Sequence, residues 1–380
     1  MAKTRRGSAV KKGMKFFVYG EQGTWKSSFA LDFMKMKSED GKPLRVLYID
    51  CESGSVDNYL EDLEDQGIDL NNLLLVYTTS YAEVEEWATK AMNEEELFVE
   101  NDEGELEPAL DAEGLPFKAD VIVVDGITVI SDNVKFAAIN VSEKRAKLKA
   151  KAAEKNSTEQ FVAEATAGLE FKDHDKIKMK GKNLLRSLIT GTDKYVVVTS
   201  REKTKKVMTN VDGKMQLVEV GKVPDTWDDA PYEFYTVLRH FEDEDGTIKA
   251  QVMRKDRTKV FEQNEIIDEP TPLYWQSVID GNKGKKDTVR QESIESGINK
   301  DEEVIAKGIH KEESDYKEEQ SENKLETVED YRNAIQKKMD TLTIQKKKAL
   351  LPKVKKSGLP IDFNAIEDIE LLKQFLELVG

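Results

Sequence analysis

The stretch Gly20-Glu-Gln-Gly-Thr-Trp-Lys-Ser-Ser28 follows an apolar run, Phe16-Phe-Val-Tyr19, and leads into a helix-like pattern, Phe29–Met34. A strand that turns through glycines into a helix opening on Lys-Ser aims several backbone N–H groups at one point, which suits a phosphate. The usual pattern of such a loop is G-x-x-x-x-G-K-[ST]. Here Trp25 stands at the second glycine, and Gly23 adds a glycine earlier. An L-residue held at positive φ costs about 1–2 kcal/mol of backbone strain. On this reading Gly20, Glu21, Gln22, Gly23, Thr24, Trp25, Lys26, Ser27 and Ser28 surround the phosphates of a nucleotide. Lys26 contacts the β- and γ-phosphates, and the Ser27 hydroxyl ligates Mg²⁺.

Three further apolar runs end in polar residues. Leu44–Glu52 reads as a buried parallel strand closing on Asp50 and Glu52, Ala119–Ile127 as one closing on Asp125, and Tyr195–Ser200 as one closing on Ser200. In an open α/β sheet the carboxyl ends of the strands face the ligand crevice, so these acids are expected beside the phosphates. A carboxylate there orients and deprotonates an attacking water, and Asp125 is the metal-side acid opposite Ser27. Ser200 is placed to sense the γ-phosphate. Helical patterns over 55–66 and 81–92, with a short strand Leu73–Tyr77 between them, complete βαβ units, and the helix after the phosphate loop is expected to reach about Lys37.

Composition narrows the class. One cysteine, Cys51, rules out an internal disulfide framework, and with three histidines the chain lacks the donors of a structural zinc site. No run approaches a membrane span, so a soluble, cytoplasmic protein with no membrane partner is expected. The net charge of −16 argues against a protein coated all over with nucleic acid. Yet residues 135–206 carry 18 Lys/Arg against 9 Asp/Glu. That stretch reads either as solvated helix faces on an insertion or as a nucleic-acid footprint. Residues 94–113 are heavily acidic and read as an exposed arm.

After Val207 the pattern becomes short strands with Asp-Gly turns at Val211–Lys214 and Asp243–Gly246, an antiparallel extension of the sheet. Arg254-Lys-Asp-Arg257 places three cations at a strand end, either solvated or offered to a neighbouring subunit's γ-phosphate. The expected organisation is an α/β core over 1–280 with insertions at about 94–118 and 135–182, then a disordered charged linker, 281–325, and a helical C-terminal module, 326–380.

Taken in order, Gly20–Ser28, Tyr48-Ile-Asp-Cys-Glu52, Val121-Ile-Val-Val-Asp125 and Val196-Val-Val-Thr-Ser200 resemble the core of RecA-like P-loop ATPases. The similarity is nearest to the phage-encoded RecA-type ATPases of recombination and single-strand annealing, often labelled AAA-domain proteins, and covers about residues 14–280. It implies a largely parallel sheet with helices on both faces, ATP and Mg²⁺ as cofactors, and hydrolysis with Glu52 as the catalytic glutamate. Lys255 and Arg257 are similar to the trans-acting K-x-R element of RadA- and DnaB-like rings. The implied partners are single-stranded DNA and further copies of the chain in a ring or filament, in the host cytoplasm if the protein is phage-encoded. A protein partner for the C-terminal module is a further expectation. The competing reading is a nucleotide-gated adaptor or loader that hydrolyses ATP poorly and recruits a partner through residues 327–380. A small-molecule kinase is disfavoured, because no Arg-rich lid follows the loop.

Overall fold

A computed structural model describes residues 10–211, 214–254, 256–285, 327–342 and 344–379. The chain divides into two compact units, residues 1–297 and 298–380.

The first unit is built on one sheet of nine strands. In chain order its strands are β1 (Lys15–Gly20), β2 (Val46–Asp50), β3 (Leu73–Tyr77), then β6 (Val121–Asp125), β7 (Tyr195–Val211), β8 (Lys214–Pro224), β9 (Thr236–Glu242), β10 (Ile248–Val252) and β11 (Ile266–Asp268). Two short strands, β4 (Phe98–Glu100) and β5 (Leu106–Pro108), form a separate hairpin in the acidic arm. Across the sheet the order is β11-β10-β9-β1-β7-β6-β2-β3, with β8 added to the far half of β7. From β3 to β9 neighbours are parallel, whereas β10 and β11 run antiparallel. Fully apolar strands such as Val121–Val124 suit a sheet buried on both faces.

Helices cover both faces. Against one lie α1 (Lys26–Leu31), α2 (Leu60–Asp65) and α8 (Gln276–Asp280), enclosing Phe16, Phe29, Phe33 and the fully buried Trp275. Against the other lie α3 (Tyr81–Asn93), α4 (Ile127–Ala152), α6 (Phe171–Thr190) and the short α7 (Ala230–Glu233), around Val84, Ile130, Leu184 and Leu188. The helix α5 (Ser157–Ala165) packs on α4 and opens with an Asn156 capping box. These features make a RecA-like α/β core, a mostly parallel sheet between two helical layers with an antiparallel extension.

Several boundaries differ from expectation. The first helix ends at Leu31 and tightens into a 3₁₀ turn, Asp32–Lys35, short of Lys37. The helix expected over 55–66 is a 3₁₀ turn followed by α2. In the basic stretch, α4 begins directly after Gly126, and α6 runs unbroken from Phe171 to Thr190. β7 does not end at Ser200: it runs on and pairs with β8. Of the expected linker, residues 286–325 lie outside those described.

The second unit contains α9 (Val328–Thr341), α10 (Ile344–Lys356) and α11 (Ile369–Val379). Their core includes Ile335, Val354, Phe363, Leu372 and Phe375. Arg332 Nη2 donates to the Ile366 carbonyl at 2.9 Å, tying α9 to the turn before α11.

Candidate active site

The carboxyl ends of the central strands meet in register. Gly20 stands opposite Arg201 on one side and His240 on the other, and Asp50 stands opposite Asp125. The loop leaving Gly20 therefore rises beside the acids of the neighbouring strands, as the crevice rule requires. Gly20 is obligatory by space: a Cβ there would collide with the His240 carbonyl. Trp25 holds φ 59 and ψ 27, the left-handed conformation a glycine would take at this position.

Within the loop, Lys26 Nζ donates to the Glu21 carbonyl at 2.6 Å, and the Thr24 hydroxyl donates to the same oxygen at 2.8 Å. Glu21, Gln22 and Gly23 are exposed, while Ser27 and Ser28 are half-buried. Burial lowers the Lys26 pKa, opposed by the charges of Asp125 and Glu52. Below the loop, His240 is fully buried with Nδ1 at 2.8 Å from the Thr24 carbonyl. Because that oxygen only accepts, Nδ1 carries the proton. Burial pushes this imidazole down to about 4, so it is neutral.

Ser27 Oγ donates to Asp125 Oδ2 at 2.7 Å. The same oxygen accepts from Tyr48 Oη at 2.6 Å and Ser55 Oγ at 2.9 Å, and Oδ1 accepts from the Thr199 hydroxyl. Burial, then the Asp125 charge, pushes the Tyr48 phenol well up, so it stays a donor. A serine hydroxyl, a carboxylate and an adjacent lysine form a donor set that fits a hard cation accompanied by phosphate oxygens. Among the described residues there is no cluster of three or more His, Cys, Asp or Glu that could hold a metal unaided.

Glu52 lies in the loop past β2, and its Oε1 accepts from Arg201 Nε at 2.9 Å. Its Cγ lies only 2.5 Å from where a Gly126 Cβ would be, so the glycine leaves the space the glutamate occupies. Gly126 sits at φ 90 as the residue before α4, a second reason for glycine there.

Of the residues expected at this site, Gly20 to Ser28, Glu52 and Asp125 converge. Asp50 does not face the crevice. It is 1% exposed and spends its carboxylate on the backbone N–H groups of Glu52, Gly54 and Ser55, at 2.7, 2.8 and 2.9 Å. Ser200 is equally buried, its hydroxyl donating to the Arg201 carbonyl and lying 3.2 Å from Thr128 Oγ1. Its neighbours Thr199 and Arg201 are the ones that reach Asp125 and Glu52. Arg257 lies at the opposite end of the sheet from its own phosphate loop. Its N–H bonds the Tyr235 carbonyl, Tyr235 N–H bonds Lys15 at the start of β1, and its guanidinium sits 5.2 Å from the Tyr235 ring centroid. Lys255 lies outside the described residues. Cys51 is a buried core residue.

Sequence reasoning missed Tyr48, Ser55, Thr199, Arg201 and His240. Strand alternation alone carried a signal for Tyr48, since it shares a β2 face with Asp50.

Several cations of the basic stretch pair with acids. Arg145 pairs with Asp173 at 3.0 Å, Lys147 with Glu164 at 2.8 Å, Lys172 with Glu170 at 2.6 Å and Arg186 with Glu233 at 3.2 Å. Among the described residues no helix is long and apolar enough to cross a membrane.

Strand order, crevice and loop together define the class, a RecA-like α/β fold with a glycine-containing loop of P-loop type at the carboxyl end of β1. No family model matches the sequence, and no curated protein does. Among solved structures, a KaiC-like protein from the hyperthermophilic archaeon Pyrococcus horikoshii OT3 overlays with a TM-score of 0.34 at 12% identity, covering 68% of this chain and 90% of that one. An overlay that loose carries no weight here, and the class rests on the strand order and the loop.

Proposed function

We propose that the protein binds ATP with Mg²⁺ at the Gly20–Ser28 loop and hydrolyses it, acting on single-stranded DNA. The observation that carries this reading is the Ser27–Asp125 hydrogen bond of 2.7 Å, which joins the loop to the acid at the end of β6. Lys26 and the loop N–H groups hold the β- and γ-phosphates. Glu52, steered by Arg201 and by the space at Gly126, orients a water toward the γ-phosphorus and takes its proton as the bond to the departing diphosphate breaks. Ser27 and Asp125 would hold Mg²⁺, which supplies charge neutralisation at the phosphates when bound. A neighbouring copy offers Lys255 and Arg257 to the developing charge.

Single strands are the proposed ligand because exposed Phe136, Phe161 and Phe171 stand among the lysines of α4 to α6, offering stacking faces beside cations. The setting proposed is phage recombination, annealing or replication. The test is ATP turnover by the full chain with and without single-stranded DNA. Lys26→Ala should abolish both nucleotide binding and turnover, whereas Glu52→Gln should keep binding and lower kcat about 10²-fold or more. Unchanged turnover in Lys26→Ala ends the assignment. DNA affinity that is flat with salt ends the single-strand half, since several phosphate contacts impose a steep slope.

A second reading, the adaptor that binds ATP and barely hydrolyses it, is favoured by the separate compact unit over 298–380 with its own core. Tight ATP binding without DNA-stimulated turnover selects it.

A further inference from the structure

Beyond Arg201, β7 leaves the parallel sheet and continues with β8 as a two-stranded ribbon, pairing from Glu202↔Pro224 to Val211↔Lys214. Ten residues of strand extend about 30 Å. A two-stranded hairpin alone in water is marginally stable, and this one is exposed along most of both strands. Residues directly opposite on an antiparallel pair share a face. Met208 opposite Leu217, with Met215 two residues along, therefore makes one apolar band, and these side chains are 52%, 64% and 61% exposed. An exposed apolar band of this kind marks a contact surface. The ribbon is also basic, with five Lys against two acids between Lys203 and Lys222, in a chain whose net charge is −16. Its root is fixed: Glu202 pairs with Arg239 at 2.8 Å and with Lys222 at 3.4 Å, and Lys222 reaches Glu21 of the phosphate loop at 3.1 Å.

The complementary surface lies on the same chain at the other end of the sheet. Residues 94–113 contain ten Asp/Glu and no Lys or Arg. Their anchors all precede strands: Glu94 pairs with Lys194 before β7, Asp111 with Arg45 before β2, and the Ala112 N–H bonds Asn72 before β3. The ribbon, by contrast, leaves from the carboxyl end of β7. The hairpin of the arm, β4 with β5, exposes Phe98 at 41% and Leu106 at 73% among Glu100, Asp102, Glu103, Glu105 and Glu107. None of those five acids makes an ion pair among the described residues.

We infer that the β7–β8 ribbon docks on the acidic β4–β5 arm of a second copy of this chain. The two surfaces match in charge and in apolar content, and they lie at opposite ends of one rigid sheet, so a chain cannot satisfy its own pair. The contact is heterologous, and it builds a ring or an open filament according to whether its rotation closes. This deepens the oligomer half of the proposed function and rests on that half alone. The chemistry at the phosphate loop is not involved.

The test is sedimentation of the full-length chain at low and high salt, with far-UV circular dichroism confirming the fold of each variant. Wild type associates at low salt and dissociates as salt screens the contact. Lys205→Glu with Lys214→Glu reverses the ribbon, and Glu103→Lys with Glu105→Lys reverses the arm. Each pair alone places like charges face to face and should weaken association at least about tenfold. An equimolar mixture of the two should associate again, alternating, because each reversed surface then meets its opposite. Wild type that stays monomeric at low salt, a reversed variant that assembles like wild type, or a mixture that stays apart overturns the inference. So does a reversed ribbon that still assembles but no longer binds a single-stranded oligonucleotide, which assigns the ribbon to nucleic acid. ATP turnover measured on the same samples keeps the two proposals separate. Assembly without turnover defeats the ATPase and leaves the contact standing, whereas turnover by a wild type that stays monomeric at low salt defeats the contact and leaves the ATPase standing.

Discussion

Replacing His240 with asparagine should flatten the acid limb of the stability curve of the first unit. The histidine is fully buried under the phosphate loop, donates from Nδ1 to the Thr24 carbonyl at 2.8 Å, and has no partner at Nε2 among the described residues. Burial is the first cause of its low pKa, the Lys26 charge adds to it, and the Thr24 bond opposes; the result is about 4 against an ordinary 6.5. In the unfolded chain the ring protonates near 6.5, whereas in the folded chain it stays neutral to about 4, so between those values the unfolded state binds more protons. Stability is therefore complete above about pH 6.5 and falls as pH drops toward 4. A difference of about 2.5 units at 1.36 kcal/mol each makes the loss about 3 kcal/mol. Asparagine places an amide donor near the position of Nδ1 and does not titrate. Urea unfolding followed by tryptophan fluorescence reports this unit, because Trp25, Trp87, Trp227 and Trp275 all lie in it. Carboxylates such as Asp256 titrate in both proteins, so the difference in slope isolates the imidazole. Parallel slopes for wild type and His240→Asn between pH 6.5 and 4 would refute the reasoning.

Gly126→Ala introduces a methyl group 2.5 Å from the present Glu52 Cγ and a side chain at φ 90. Under the proposed function turnover should fall about 10²-fold while ATP affinity changes little, because there Glu52 is assigned to orient water and not to hold phosphate. A variant that loses affinity and keeps kcat contradicts the placement of Glu52. Tyr48→Phe removes one of the four hydroxyl donors on Asp125, from a phenol that is fully buried. Unfolding free energy should drop by about 1.5–3 kcal/mol, the range for a bond to a charged group, and a urea midpoint equal to wild type would show the bond contributes nothing.

The central sheet was legible because buried parallel strands declare themselves as apolar runs. Val121–Asp125 and Leu73–Tyr77 stand where the sequence placed them. The loop was legible from its motif, and Glu52 and Asp125 because each stands at the end of an apolar run. Arg201 was not, since a cation after an apolar run reads as a strand end. Here β7 continues past it as a ribbon, and its exposed side chain reaches Glu52 across the strand ends. Asp50 misled for the converse reason. Its place at the end of β2 points to the crevice, but three loop N–H groups within reach bind its carboxylate first. Tertiary competition of that kind leaves no trace in a single sequence. His240 was equally hidden: a lone histidine in an apolar strand reveals a partner only when β9 is known to lie in register beside Gly20.

Trp25 shows how a departure from the usual loop can be tolerated. The residue keeps the left-handed backbone of a glycine, at a cost of about 1–2 kcal/mol. Three bonds brace the backbone around it: Thr24 Oγ1 to the Glu21 carbonyl at 2.8 Å, His240 Nδ1 to the Thr24 carbonyl at 2.8 Å, and the Phe29 N–H to the Trp25 carbonyl at 2.9 Å. At about 0.5–1.5 kcal/mol net each, together they match or exceed the strain. The loop therefore keeps the glycine's backbone path with an indole attached, and that indole is 45% exposed at the rim of the cradle. The brace from His240 holds as pH falls, because in the folded chain the ring stays neutral to about 4 and its Nδ1–H donates to the Thr24 carbonyl in either charge state.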